Sequence, residues 1–167
     1  MPNPAPYKVL ILCTGNSARS VIGEYLLREK GKGRFETYSA GSHPTGRVNP
    51  LAVWVLKEHY GINAAGARSK SWDEYKNVKF DFIITVCDNA KESCPIFPGQ
   101  TITAHFSSPD PAHVEGTDDQ KKWAFIQVAS QISRRLDLFC ALPELEAGSV
   151  RAIGEQFKLD GENQMAR

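Results

Sequence analysis

The stretch Val9–Ser20, VLILCTGNSARS, decides how the rest of the chain is read. Val9, Leu10, Ile11 and Leu12 are consecutive and apolar, as in a strand covered on both faces of a parallel sheet. Cys13 closes that run, a loop of small polar residues follows, and Arg19 stands six positions on. A core cysteine has no need of such neighbours, whereas a thiolate that attacks an oxyanion does. The start of a following helix, the N–H groups of a tight Gly-containing loop and the Arg19 charge would each lower the thiol pKa. Ser20 can donate a hydrogen bond to the sulfur. The same N–H groups, from Thr14, Gly15, Asn16, Ser17 and Ala18, would hold a tetrahedral oxyanion together with the planar fork of Arg19. Gly15 permits unusual backbone geometry, and Asn16 tolerates a left-handed φ.

Outward from this stretch, the pattern alternates. Tyr7–Cys13 reads as a strand, and 20–30 as a helix with Val21, Ile22, Tyr25 and Leu26 at helical spacing, ended by Gly31 and Gly33. Residues 35–40 form a second strand, and GSHPTG follows as a loop. Asn49 caps a helix over 51–60 with Pro50 at its first position, and Gly61 stops it. Strands follow over 79–86, ending at Cys87, and over 101–106. A long amphipathic helix spans 118–142, with Asp118 and Asp119 as caps and Trp123, Ile126, Ile132, Leu136 and Phe139 as core candidates. This order predicts an α/β sandwich with a parallel sheet. Ligands of such folds sit at the carboxyl ends of strands, where Cys13 and Cys87 both fall.

The 167 residues fit one domain, read as 1–142 with 143–167 as an extension that has no assigned role. Lys plus Arg is 20 and Asp plus Glu is 19, a net +1 that argues against a nucleic-acid surface or a polybasic membrane surface. No apolar run approaches the roughly 20 residues that span a bilayer. Met1–Lys8 has no extended apolar signal region, so a cytoplasmic chain is expected. The expected state is a monomer. In a reducing compartment the four cysteines, Cys13, Cys87, Cys94 and Cys140, read as catalytic or redox thiols before structural disulfides.

The segment CTGNSARS resembles the phosphate-binding loop of the low-molecular-weight protein tyrosine phosphatase superfamily. It is closer still to the thioredoxin-coupled arsenate reductases built on that fold. The resemblance runs from about Tyr7 to about Leu142 and implies a four-stranded parallel sheet flanked by helices, a three-layer sandwich.

The loop alone does not separate phosphate from arsenate, which share shape and charge. The segment Thr85–Gly99, TVCDNAKESCPIFPG, bears on that choice. A phosphatase releases its phospho-cysteine to water, whereas arsenate reduction needs two electrons, which two thiols can supply. The resolving cysteines of the reductases match Cys87 and Cys94 in spacing and in the Cys-Pro that follows. The implied relay has Cys13 attack arsenate, Cys87 form a disulfide with Cys13, and Cys94 resolve it to a Cys87–Cys94 disulfide recycled by thioredoxin. Cysteines seven apart on a helix are separated by about 10 Å along its axis. A disulfide needs Cα atoms about 4.4–6.8 Å apart. Residues 88–93 are therefore expected to rearrange during turnover.

Other readings of Cys87 and Cys94 are a zinc site, against which their spacing argues, and two unrelated cysteines. Cys140 reads as core.

Asp110 in SSPDPAHVEG resembles the superfamily's general-acid Asp-Pro. A positioned acid would assist loss of an arsenate oxygen as water. Phosphate and sulfate are expected as competing oxyanions, and no cofactor or metal is expected. His105 and His113 read as bland polar residues, and Trp72 and Trp123 as packing.

Four features depart from the family pattern, one of them a 25-residue tail longer than expected. Ala18 stands where the reductases usually carry cysteine, and VIGEY replaces Gln-Met-Ala-Glu-Gly. Some members bind potassium through an asparagine, a serine, a glutamate and an aspartate. Asn16, Ser39 and Glu24 fit the first three, but RSKS, with Lys70, occupies the aspartate's region, which argues against a bound ion. The remaining alternatives are a phosphatase acting on phosphate monoesters and a non-catalytic oxyanion-binding or redox-sensing module.

Overall fold

The computed structural model of the protein describes residues 5–87, 94, 98–99 and 101–155. Four strands form one parallel sheet: β1 (Tyr7–Cys13), β2 (Phe35–Gly41), β3 (Phe82–Thr85) and β4 (Ile102–His105), in the spatial order β2-β1-β3-β4. The central position of β1 explains its unbroken apolar run. Both faces are covered, so Val9 to Leu12 are all buried. In register, Leu12 pairs with Ala40 on one side and with Thr85 on the other.

β3 and β4 are shorter than their sequence patterns suggest. Before β3, Asp81 uses its carboxylate to accept the Lys8 N–H (2.8 Å), while its own N–H goes to the Lys8 carbonyl. A side chain thus takes a ladder position, and regular pairing starts at Phe82.

Helices α1 (Arg19–Gly31), α2 (Pro50–Tyr60) and α3 (Asp118–Ala141) connect and cover the strands. α2 follows its sequence signals: Asn49 Oδ1 accepts from Leu51 N, Pro50 opens the helix, and Gly61 closes it at φ 65°. α1 ends differently. The left-handed residue after it is Lys32 (φ 48°), and Gly31 is needed for close packing, since a Cβ there would lie 2.5 Å from the Phe35 ring.

Two expectations for α3 need correction. Its cap is Thr117, in a reciprocal capping box with Gln120, leaving Asp118 and Asp119 in the first turn. Trp123 is 58% exposed, not core. The buried apolar set is Phe125, Val128, Ala129, Ile132, Leu136 and Phe139, joined by the polar Ser133 and Arg135. Trp123, two residues before Phe125, points about 200° away around the helix.

Beyond α3, a further helix α4 covers 147–155 and belongs to the same core. Val150 and Ile153 are buried. Arg151 Nε donates to the Thr103 carbonyl at 2.9 Å, and Gly154 lies against the His105 carbonyl. β4 is the edge strand, and α4 caps its outward backbone. The region read as an extension without a role therefore protects a sheet edge, at least as far as residue 155. No helix among the described residues is long and apolar enough to cross a membrane.

Candidate active site

The loop that follows β1 is built by its carbonyls as much as by its amides. The carbonyls of Cys13, Thr14, Gly15 and Ser17 accept hydrogen bonds from the backbone N–H groups of Ser42, His43, Thr45 and Asn49. Residues 42–49, legible in sequence only as a connecting loop, thus draw the carbonyls away and favour an amide-lined concavity. Gly41 makes this close approach possible, because a Cβ there would lie 2.5 Å from the Thr14 carbonyl. Its signal in sequence was a glycine at a strand's carboxyl end. The left-handed residue of the loop is Asn16 (φ 46°), not Gly15, which has no positive φ.

Cys13 is buried, with its Sγ 2.8 Å from Ser20 Oγ and 3.2 Å from Asn16 N. α1 begins at Arg19 with Ala18 as its buried N-cap, so the helix opens beside the sulfur. The lowering influences expected from Ser20, the loop amides and Arg19 are present, but burial outweighs them. Burial pushes the Cys13 thiol up, outweighing the opposing hydrogen bonds from the Ser20 side chain and from the Ser20 and Asn16 backbone, and the Arg19 charge. The loop favours the thiolate, but not by enough to offset its desolvation.

Behind the loop lies a buried polar cluster. Asn16 Nδ2 donates to Ser20 Oγ (2.8 Å) and to Ser39 Oγ (3.0 Å). Asn16 Oδ1 accepts from Lys70 N (2.9 Å) and from Lys70 Nζ (3.3 Å). Lys70 Nζ also reaches Ser39 Oγ at 3.4 Å and the Arg68 carbonyl at 3.0 Å, and stands 3.9 Å from Glu24 Oε1. Burial pulls the Lys70 ammonium pKa down, with Glu24 opposing. The three residues that fit the family's potassium ligands therefore surround an ammonium belonging to the chain itself, and they do not fit an added cation. Among the described residues, no cluster of three or more His, Cys, Asp or Glu could hold a metal ion.

Arg19 spans from the loop to the Asp110 segment. Its Nη1 donates to the Ser108 carbonyl at 3.0 Å, and its Nη2 lies 3.6 Å from Asp110 Oδ2. Asp110 Oδ1 accepts from Ala112 N (3.0 Å), capping a short 3-10 turn over Pro111–His113. Oδ2 lies 3.0 Å from His113 Nε2, a contact the sequence did not disclose. His105 Nδ1 lies 2.8 Å from Thr85 Oγ1.

Cys87 stands two residues beyond β3 and is buried, with its Sγ 3.2 Å from Thr14 Oγ1. Val86 N donates to the Leu12 carbonyl, which places both cysteines at one sheet edge. Cys94 is half-buried against the core, and burial raises its thiol pKa. The expected rearrangement of 88–93 lies outside the described residues. Cys140 is half-buried, and its thiol is likewise pushed up by burial. None of the four cysteines, all among the described residues, is in a disulfide.

A strand-loop-helix bearing a buried cysteine, with an arginine tied to an Asp-Pro loop, defines a class of phosphatase-fold proteins. Residues 8–145 match the low molecular weight phosphotyrosine protein phosphatase family, and the chain belongs to it. Within that family it is similar to the arsenate reductase of Halalkalibacterium halodurans, with 36% identity over 131 residues, covering 78% of this chain and 93% of that one. Among solved structures, the arsenate reductase of Archaeoglobus fulgidus is 27% identical with a TM-score of 0.65, covering 80% of this chain and 99% of that one. The low molecular weight protein tyrosine phosphatase of T. tengcongensis is 25% identical with a TM-score of 0.67, covering 78% and 95%. α4 lies beyond the matched region.

Proposed function

We propose that the protein is an arsenate reductase that reduces arsenate to arsenite through a thiol relay recycled by thioredoxin. The observation that carries this reading is the second buried thiol, Cys87, held at the mouth of the anion loop by Thr14. Hydrolysis of a phosphate ester would use the same loop but has no task for that thiol.

Arsenate is held by the loop amides and Arg19 over Cys13. Cys13 attacks arsenic as the thiolate, its proton passing to the dianionic oxyanion, and one arsenate hydroxyl leaves as water after taking a proton from Asp110. Cys87 then attacks Cys13 Sγ. The electron pair of the breaking sulfur–arsenic bond stays on arsenic, arsenite departs, and the two sulfurs are joined. Cys94 attacks Cys87, regenerating the Cys13 thiolate. The Cys87–Cys94 disulfide takes two electrons from the thioredoxin dithiol.

The test is NADPH oxidation in the presence of thioredoxin and its reductase, started by arsenate. Cofactor oxidation should require arsenate, Cys13, Cys87 and Cys94, and Asp110→Asn should slow it by on the order of 100-fold. Turnover that survives both Cys87→Ser and Cys94→Ser would show that the relay is wrong.

A further inference from the structure

Arg135 is a charged side chain inside the core. It is 5% exposed, on α3, and lines an apolar pocket with Ile11, Gly23, Ile84, Val86, Phe106 and Leu136. A charge in such surroundings is expensive to desolvate, and a hydrophobic residue of similar volume often serves stability equally well. Burial, with Arg134 adding repulsion, pulls its pKa down to about 10, so it remains charged at neutral pH.

Its hydrogen bonds show what the charge is used for. Nη1 donates to the Ser107 carbonyl and, at 3.3 Å, to Ser108 Oγ. Ser108 is held on its other sides too. Its N–H goes to the Val86 carbonyl at 3.0 Å, one residue before Cys87, and its carbonyl accepts from Arg19 Nη1. Ser108 thus sits between two guanidiniums, one in the core and one at the anion loop. Pro109 and Pro111, on either side of Asp110, leave the segment little freedom to compensate if it slips.

We propose that Arg135 is a positioning residue for the oxyanion site: it holds the Ser107–Ser108 peptide so that the Ser108 carbonyl sets Arg19 beside the Cys13 loop and within reach of Asp110. Arg135 touches neither oxyanion nor thiol and acts through Ser108. Charge suits the task because a charged donor makes a stronger bond to a carbonyl than a neutral one, and Nη1 of the rigid guanidinium reaches both Ser107 and Ser108. The proposal rests on the reading of Arg19 as the anion-binding side chain, but not on which oxyanion is turned over.

The test uses inorganic phosphate as the probe. Phosphate should protect Cys13 from iodoacetamide, followed by mass spectrometry of the Cys13 peptide. In Arg135→Met the half-protecting phosphate concentration should rise about fivefold or more, equivalent to about 1 kcal/mol of lost binding. The thermal midpoint should stay near that of the wild type or rise, a combination that a merely structural arginine would not produce. Arg135→Lys, which keeps the charge but loses the rigid, extended guanidinium, should fall between the two. Protection of Arg135→Met at wild-type phosphate concentrations overturns the proposal. If Arg135→Met does not fold, Arg135→Lys decides: protection weakened by about twofold or more supports the proposal, and unchanged protection overturns it. Absence of phosphate protection in the wild type would overturn the anion-site reading itself, and this proposal with it.

Discussion

The hydroxyl of Thr14 lies 3.2 Å from the sulfur of Cys87, across 73 residues of sequence. The contact joins the anion loop to the second thiol and makes Thr14 a member of both. Thr14→Val keeps the side-chain shape and removes the hydroxyl. In a Cys94→Ser background, where the Cys13–Cys87 disulfide accumulates, the single-turnover rate of its formation should fall about fivefold, as expected for one net hydrogen bond. Phosphate protection of Cys13 should stay within about twofold of wild type, because the loop amides remain. An unchanged disulfide rate would remove Thr14 from the relay.

Burial raises the pKa of Cys13, and Ser20 is the largest opposing influence. The apparent pKa for alkylation of Cys13 should therefore lie above that of a free cysteine, and Ser20→Ala should move it higher still. The same shift affects stability. Between the unfolded thiol pKa, about 8.5, and the higher folded value, the native protein retains a proton that the unfolded chain has lost. The stabilising contribution is complete below the unfolded value and disappears as pH rises through the folded one. The wild type should accordingly lose more urea resistance than Cys13→Ala as pH is raised above about 8.5. Parallel curves for the two proteins would contradict the raised pKa.

Lys70 Nζ stands among Asn16, Ser39 and Glu24. Turnover should therefore be the same in potassium and sodium chloride at equal ionic strength. Lys70→Met removes a buried partner of Glu24 and should lower unfolding free energy by on the order of 2 kcal/mol, read from urea titration. Activation of the wild type by potassium would contradict this placement.

The two glycines of α4 should respond with opposite signs. A Cβ on Gly154 would lie 2.0 Å from the His105 carbonyl oxygen, whereas one on Gly148 would meet open space. Gly154→Ala must push α4 off β4 and should cost about 1–3 kcal/mol. Gly148→Ala should stabilise by up to about 1 kcal/mol through helix propensity. Thermal unfolding of both variants decides, and a stabilising Gly154→Ala would mean that α4 does not seat on the edge strand.

Features carried by neighbouring residues were legible without coordinates. The buried β1 run, the Asn49–Pro50 start of α2 and the Cys13-to-Ser20 loop each depend on hydrogen bonds or steric limits that act within a few positions. The misreadings share one cause. Trp123 is apolar and lies in a helical pattern, but helix phase is set by what the helix packs on. Asp118 and Asp119 are good caps, but Thr117 stands at the boundary. Asp81 delays the start of β3 to Phe82 because Lys8, on another strand, offers an N–H.

The residue types at the active site could be named from the chain, because a nucleophile, an anion-binding arginine and an acid each require particular functional groups. Their working arrangement could not. Thr14 reaches Cys87, Ser108 ties Arg19 to Arg135, Lys70 fills the space behind Asn16, and residues 42–49 take up the loop's carbonyls, all through contacts between segments distant in sequence. The net pKa direction of Cys13 belongs to this second group. Hydrogen-bond donors to the sulfur could be anticipated from local sequence, but the desolvation that outweighs them depends on how completely the folded chain excludes water.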